Sequence, residues 1–222
     1  MPAQKKSSRW LPFEDPLSTL PETAQKILAA ASRLLARRGY SALTLENVAA
    51  EAGVNKASIR YNFGNKAGLV AAVVDALIHD ECLRLAADLR TVSDEDRLHA
   101  AMVGIEGMIV GADSFRGFLD ILPHAFRHRE LRERMFELYR WWYRQNLEWL
   151  GLAVADAQGQ QHEILTGLAE LIAAIPDGLS IQAGLDPERF DLRRPLAALE
   201  LLLRNSMDEL RRLAGPDGKG VG

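Results

Sequence analysis

Within the eleven residues from Lys56 to Lys66, hydrogen-bond donors are dense, and six of them are candidates to face a ligand: Lys56, Ser58, Arg60, Tyr61, Asn62 and Lys66. Lysine neutralises a phosphate, hydroxyls donate to phosphate oxygens, and a guanidinium pairs two acceptors at once on the edge of guanine. Arg60 is therefore the candidate base reader, although a backbone contact is equally open to it. Tyr61 and Lys66 are the candidates for phosphate contacts, and Thr44 upstream adds another. Ala57 sits among these donors and shares their surface.

Such a set acts only if short helices present it. Asn55 is placed to cap a helix that buries Ile59 and Phe63, and Asn65 to cap the next one. Thr44 caps an earlier short helix, with Glu46 in its first turn and Leu45, Val48 and Ala49 turned inward. Gly53 follows the small Ala49 by four positions, where a left-handed residue turns one helix into the other. Val48, Ala52, Val54 and Ile59 supply the contacts at the crossing. This spacing is that of a helix-turn-helix, whose second helix enters the major groove by its N-terminal part. Ahead of it, Thr19-Leu20-Pro21-Glu22 reads as a capping box with proline in the first turn. The helix it opens carries the stripe Ala24, Ile27, Leu28, Ala31, Leu34 and Leu35 and ends at Gly39. Beyond the pair, Leu69, Val70, Val73, Val74, Leu77 and Ile78 stripe a long helix that reaches toward Leu89.

Charge divides along the same line. Residues 1–66 carry ten Lys or Arg against five Asp or Glu, for +5; residues 67–222 carry 17 against 25, for -8, which restores the net -3. A cationic head on an acidic body suggests that the first part meets a polyanion and the second does not. A content of 48% hydrophobic and 26% charged residues marks a packed globule. The single cysteine, Cys82, excludes an intrachain disulfide. No h-region follows the basic start MPAQKKSSRWLP, and no uninterrupted apolar run spans a bilayer. The expectation is a cytoplasmic chain with no membrane partner.

The segment TAQKILAAASRLLARRGYSALTLENVAAEAGVNKASIRYNFGNKAGLVAAVV resembles the N-terminal domain of the TetR family of transcriptional regulators. The first stripe, Gly39-Tyr40, the Thr44 start, Ala52-Gly53-Val54, Tyr61, Phe63 and Lys66-x-x-Leu69 occur together in order. The resemblance implies that Tyr61 and Lys66 contact phosphates and that Lys56 to Asn62 face an operator. Three positions depart from the family's common wording: Ala57 stands for glycine, Arg60 for an aromatic and Asn62 for histidine. These leave the fold alone and alter the base-reading surface.

No alternation of β-branched residues bounded by hairpin turns occurs, so the fold expected is all-α, with about nine helices. Its expected parts are a flexible basic arm (1–20), the helix-turn-helix domain (21–66), a ligand-binding and dimerisation domain (67–214) and a flexible tail (215–222). In the acidic body FELYRWWYRQNLEW, from Phe136 to Trp149, is the richest aromatic block. Tyr139, Trp142, Tyr143 and Asn146 lie near one face, with Met135 and Phe136 leading in, and either line a pocket for a flat or apolar ligand or pack as core. Gly167 to Leu192 resembles the family's penultimate helix and following loop. Leu168, Leu171, Ile172 and Ile175, with Leu199, Leu202 and Leu203 of the last helix, would pack against symmetry mates as a four-helix bundle, or else be buried within a monomer.

Asp120, His124 and His128 recur at metal-ligand spacing, but Pro123 should interrupt the helix, and Arg127, Arg129, Arg132 and Arg134 point to a solvated basic face. No metal and no cofactor is expected. Neither H-E-x-x-H nor a phosphate-cradling glycine loop nor G-x-S-x-G is present, which argues against an all-helical enzyme. The reading favoured is a homodimeric repressor, released from a palindromic operator in double-stranded DNA by an unidentified small-molecule effector. The alternative is a constitutive DNA-binding protein without an effector. Lys5, Lys6 and Arg9 either reach an adjacent minor groove or serve solubility.

Overall fold

The structure, a computed structural model, describes residues 20–111, 113–152 and 160–215. Among these residues every regular element is helical. The chain forms α1 (Glu22–Arg38), a 3-10 turn (Tyr40–Ala42), α2 (Leu45–Ala52), α3 (Lys56–Phe63) and α4 (Lys66–Arg90). There follow α5 (Arg97–Gly111), α6 (Asp113–Ala125), α7 (Arg129–Trp149), α8 (Gln160–Leu185) and α9 (Arg193–Ala214).

The local signals hold at most boundaries. Gly39, at φ 73°, ends α1, its N–H donating to the Leu35 carbonyl. Ser93 accepts from the Asp96 N–H just ahead of α5 at 3.2 Å. Two local readings need correction. Pro21 itself occupies the cap position of α1 without a side-chain hydrogen bond. Gln25 instead reaches back to the Leu20 carbonyl at 2.8 Å. Thr19, the expected cap, lies outside the described residues, as do Lys5, Lys6, Arg9 and the tail from 216 onward. Pro123 does not break its helix: α6 runs through it to Ala125. Proline removes one donor, but the buried Phe118, Ile121 and Ala125 still hold that face of α6 in the core.

Compactness divides the chain differently from composition, inside α4 and α7. One unit takes Met1–Asp80 and Asp113–Leu138, the other Glu81–Ala112 and Tyr139–Gly222. In the first, α1 buries Ala24, Ile27, Leu28, Ala30, Ala31, Leu34 and Leu35 and packs against α2, α3 and α6. Gly117 sets how closely α6 approaches, since a Cβ there would stand 2.9 Å from Leu35 Cδ2. Arg134 is not part of a solvated face, as its sequence neighbours suggested. It is buried on α7, donates through Nε to Asp75 of α4 at 3.1 Å and through a terminal nitrogen to Glu137 at 2.9 Å. Burial of a guanidinium requires such partners.

The second unit packs α5, α8 and α9 together around Met102, Ile105, Leu165, Ala169, Ile172, Leu196 and Leu203. His99 meets Glu200 at 2.9 Å and Arg193 meets Glu106 at 3.1 Å, each tying α5 to α9.

Candidate nucleic-acid interface

The turn between α2 and α3 is built from backbone upward. Thr44, in extended conformation, accepts the Asn47 N–H on Oγ1 at 3.1 Å and so starts α2. At its other end Gly53 adopts φ 66°, ψ 33°, and the Val54 N–H returns to the Ala49 carbonyl at 3.0 Å. The paired bonds from Gly53 and Val54 satisfy the last carbonyls of α2. Asn55 then accepts the Ser58 N–H at 2.8 Å, which starts α3 with its axis already redirected.

Burial on α3 falls on Ile59 and Phe63, and Arg60 and Tyr61 between them are turned out. Tyr61 is 91% exposed, an unusual position for a large aromatic ring. Arg60 is exposed, and its side chain has no hydrogen bond or ion pair with a described residue. Lys56 is exposed and paired to Glu46 of α2 at 2.8 Å; the same bond holds the Glu46 carboxyl below the usual carboxylate range. Ala57 is exposed, while Ser58 and Asn62 are half-buried. The Ser58 hydroxyl donates to Asn55 and the Asn62 amide to the Ser58 carbonyl, at 3.1 and 2.8 Å. Lys56, Ala57, Arg60 and Tyr61 thus stand outermost, with Ser58 and Asn62 behind them, bracing the helix.

Lys66 opens α4, whose first turn is capped by Asn65 accepting the Gly68 N–H at 2.8 Å. Its ammonium lies 4.4 Å from the centre of the Tyr40 ring. Partial burial lowers the pKa of that ammonium, and the electron-rich ring face offsets some of the cost. The other face of Tyr40 stacks on His124 of α6 at 3.7 Å, with the rings 17° from parallel. The Tyr40 N–H donates to Asp120 of the same helix. Asp120 and His124, two of the three residues with metal-ligand spacing, are engaged in seating this one tyrosine. Among the described residues no group of three or more His, Cys, Asp or Glu side chains is arranged to hold a metal.

Gly68 went unnoticed in the sequence. A Cβ there would lie 2.1 Å from the Phe63 carbonyl oxygen, so α3 and the start of α4 meet only because the side chain is absent. The pattern Asn-Lys-x-Gly after Phe63-Gly64 was its only trace.

Elsewhere the candidates separate. Met135 is buried in the first unit, while Trp142 and Asn146 are buried in the second, where Trp142 meets Trp149 edge-on at 5.2 Å. Tyr139 and Tyr143 are half-buried, and the Tyr139 hydroxyl donates to Asp177 of α8. Asp177 was visible in the sequence only as an acid within an apolar stretch. Leu171 and Leu202 are 66% and 67% exposed, Ile172 and Leu203 are buried in the unit's own core, and Leu168, Ile175 and Leu199 lie between. Ile181, Leu185 and Leu201 are further exposed apolar side chains on the same two helices.

Residues 27–73 match a family described as bacterial regulatory proteins, tetR family, and residues 112–207 match one described as BetI-type transcriptional repressor, C-terminal. The HTH-type transcriptional regulator TtgR of Pseudomonas putida is 42% identical over 65 residues, 28% of this chain and 31% of that one. The chain thus matches only about a third of that relative's length. The HTH-type transcriptional regulator CymR of Pseudomonas putida is 28% identical over 175 residues, covering 77% of this chain and 84% of the other. A crystal structure of the multidrug binding protein EbrR complexed with imidazole superposes with a TM-score of 0.60 at 21% identity, covering 90% of this chain and 94% of that one. At that identity the likeness is one of fold.

Proposed function

The chain belongs to the TetR family of bacterial regulatory proteins, a family of transcriptional regulators and not of enzymes, and on that premise we propose a specific mode of action. It is a homodimeric, cytoplasmic repressor that holds a palindromic operator through two copies of α3 and leaves it when a small molecule binds the acidic body. The observation that carries this reading is the outward set on α3 and α4. Two buried anchors, Ile59 and Phe63, fix a helix that sends Lys56, Arg60 and a nearly bare Tyr61 to solvent, with Lys66 opening the next helix. Tyr61, Lys66 and Thr44 take phosphates in this reading, Lys56 flanks them, and Arg60 reads an edge with Ala57, Ser58 and Asn62 lining the groove.

The second copy is favoured by the apolar faces of α8 and α9. Leu171, Ile181, Leu185, Leu201 and Leu202 are all exposed on two helices that pack against each other, and a second copy would cover them. By length and composition α8 could also cross a membrane. It carries Glu163, Glu170 and Asp177 at seven-residue intervals, however, which a bilayer strongly disfavours and a water-edged bundle accepts. Two heads then reach half-sites about 34–36 Å apart. A small-molecule effector is supported by the fold shared with EbrR, described as a multidrug binding protein.

Binding-site selection at several salt concentrations tests the interface. Lys66→Ala should weaken binding to every sequence and reduce the salt slope by about 0.9, the contribution of one phosphate. Arg60→Ala should relax preference at one position by about 1–3 kcal/mol. Identical behaviour of the two variants contradicts the assignment. A constitutive binder would keep its DNA affinity in the presence of every small molecule that occupies the body.

A further inference from the structure

Along α7, Tyr139, Tyr143 and Asn146 follow one another at i, i+4 and i+7, on a single helical face. Tyr139 donates its hydroxyl to Asp177 of α8, and the two tyrosine rings stand 6.1 Å apart at 42°. Burial raises the pKa of the Tyr143 hydroxyl, and the negative charges of Glu170 and Asp177 on α8 add to the effect. Tyr139 and Tyr143 therefore both lie on the side of α7 that looks toward α8.

Three features of this strip are incomplete. Asp177 is half-buried, yet it forms no ion pair with any described residue; its one bond is to a neutral phenol. Asn146 is 4% exposed, and its amide nitrogen has no hydrogen-bond partner among the described residues. A Cβ at Gly178, the residue after Asp177, would meet nothing within 4 Å, so α8 leaves open space next to Asp177. Partly buried negative charge with room next to it, aromatic faces and an orphaned amide further along the same face of α7 form an arrangement that gains from a ligand bringing positive charge. A weakly hydrated organic cation loses little water on entry and is attracted by tyrosine ring faces, whereas a primary ammonium would sacrifice strong hydration.

We propose that Tyr139, Tyr143 and Asp177, with Asn146 at the inner end, form the effector site, and that it selects an organic cation such as a quaternary ammonium or a delocalised aromatic cation. This rests on the reading of the chain as an effector-responsive repressor and narrows its effector to one chemical class. Asp177 supplies the charge, the two rings flank the cation, and the Asn146 amide donates to an acceptor on the ligand's far side.

Two matched pairs of probes isolate charge from shape: tetraphenylphosphonium against tetraphenylborate, and choline against its uncharged isostere 3,3-dimethylbutan-1-ol. Binding to the full-length protein is followed by quenching of its tryptophans and by calorimetry, with DNA affinity measured in parallel. At least one cation should bind tenfold or more tighter than its partner. Asp177→Asn should remove about tenfold of that preference, and Tyr143→Ala should weaken the cation while leaving the Tyr139–Asp177 bond in place; circular dichroism reports that each variant is folded. Equal binding of both members in each pair, or unchanged cation affinity in both folded variants, overturns the cation site. Release of DNA by the anion or the alcohol as well as by the cation leaves an effector-responsive repressor but removes its cation class. Asp177-dependent cation binding that leaves DNA affinity unmoved keeps the site and removes the effector reading. Failure of all four probes to bind removes the site as proposed.

Discussion

Lys66 is held by contacts no sequence pattern announced. Its ammonium rests on Tyr40, and Tyr40 is seated by His124 and Asp120, some eighty residues further along the chain. Pairing at that separation leaves no periodic signal, which is why Asp120 and His124 read as metal-spaced residues and not as a seat. We expect Tyr40→Leu to weaken DNA binding in the manner of Lys66→Ala though it touches no nucleotide, while Tyr40→Phe preserves it; equal losses in both would point to the hydroxyl and against the ring. Asp177 offers a test by pH. Burial pushes its carboxyl up from an ordinary 3.8 to about 6, against the opposing pull of the Tyr139 hydrogen bond. Between those values the folded chain keeps a proton that the unfolded chain has released, so the destabilisation is absent below pH 3.8 and complete above about pH 6. Asp177→Asn should therefore raise the melting temperature by roughly 2–4 °C at pH 7.5. Melts repeated near pH 4 should show that gap closing; an equal gap at both values would place the effect elsewhere.

At the scale of the element, what was legible was local. Thr44, Asn55 and Asn65 cap the helices they precede because cap, first turn and first N–H lie within three residues of one another. The stripes of α1 and α4 were legible for a related reason, since one-sided burial imposes its period on the chain. Pro123 was misleading because its intrinsic helix penalty is local, whereas the packing of Phe118, Ile121 and Ala125 that outweighs it is not. The glycines of the helix-turn-helix separate these two kinds of constraint. Gly53 has open space where a side chain would sit and is demanded only by its positive φ, so Gly53→Ala should cost about 1–2 kcal/mol and Gly53→Asn less. Gly68 has an ordinary φ and no room, so Gly68→Ala should push α3 off α4 and damage DNA binding and folding together. Denaturant unfolding of the three variants ranks them, and a benign Gly68→Ala would contradict the close approach.

For the whole molecule, the charge divides as +5 over residues 1–66 and -8 over residues 67–222, and α2, α3 and the start of α4 all lie in the cationic segment. The exposed leucines of α8 and α9 were harder to read, because a stripe that faces the protomer's own core and one that faces a second copy share the same period. Leu171 and Ile172 are adjacent in sequence and lie on opposite sides of that distinction. Sedimentation at micromolar concentration should show a dimer. Leu171→Glu combined with Leu202→Glu should yield a monomer with intact helicity and operator affinity lower by orders of magnitude, as half-sites are then bound singly; a dimer that survives both substitutions removes α8 and α9 from the interface. The Lys56–Glu46 pair also bears on how the molecule distinguishes anions. Glu46 is a tethered competitor for Lys56, present at the millimolar effective concentration that a short link provides. A lone chloride or free phosphate must displace it from a single site and gains little, since solvent screens any exposed pair. On the proposed reading, a polymer engaging Lys56, Tyr61 and Lys66 together would lose only that small increment once, and the pair would then act as a mild filter for anions that arrive in rows.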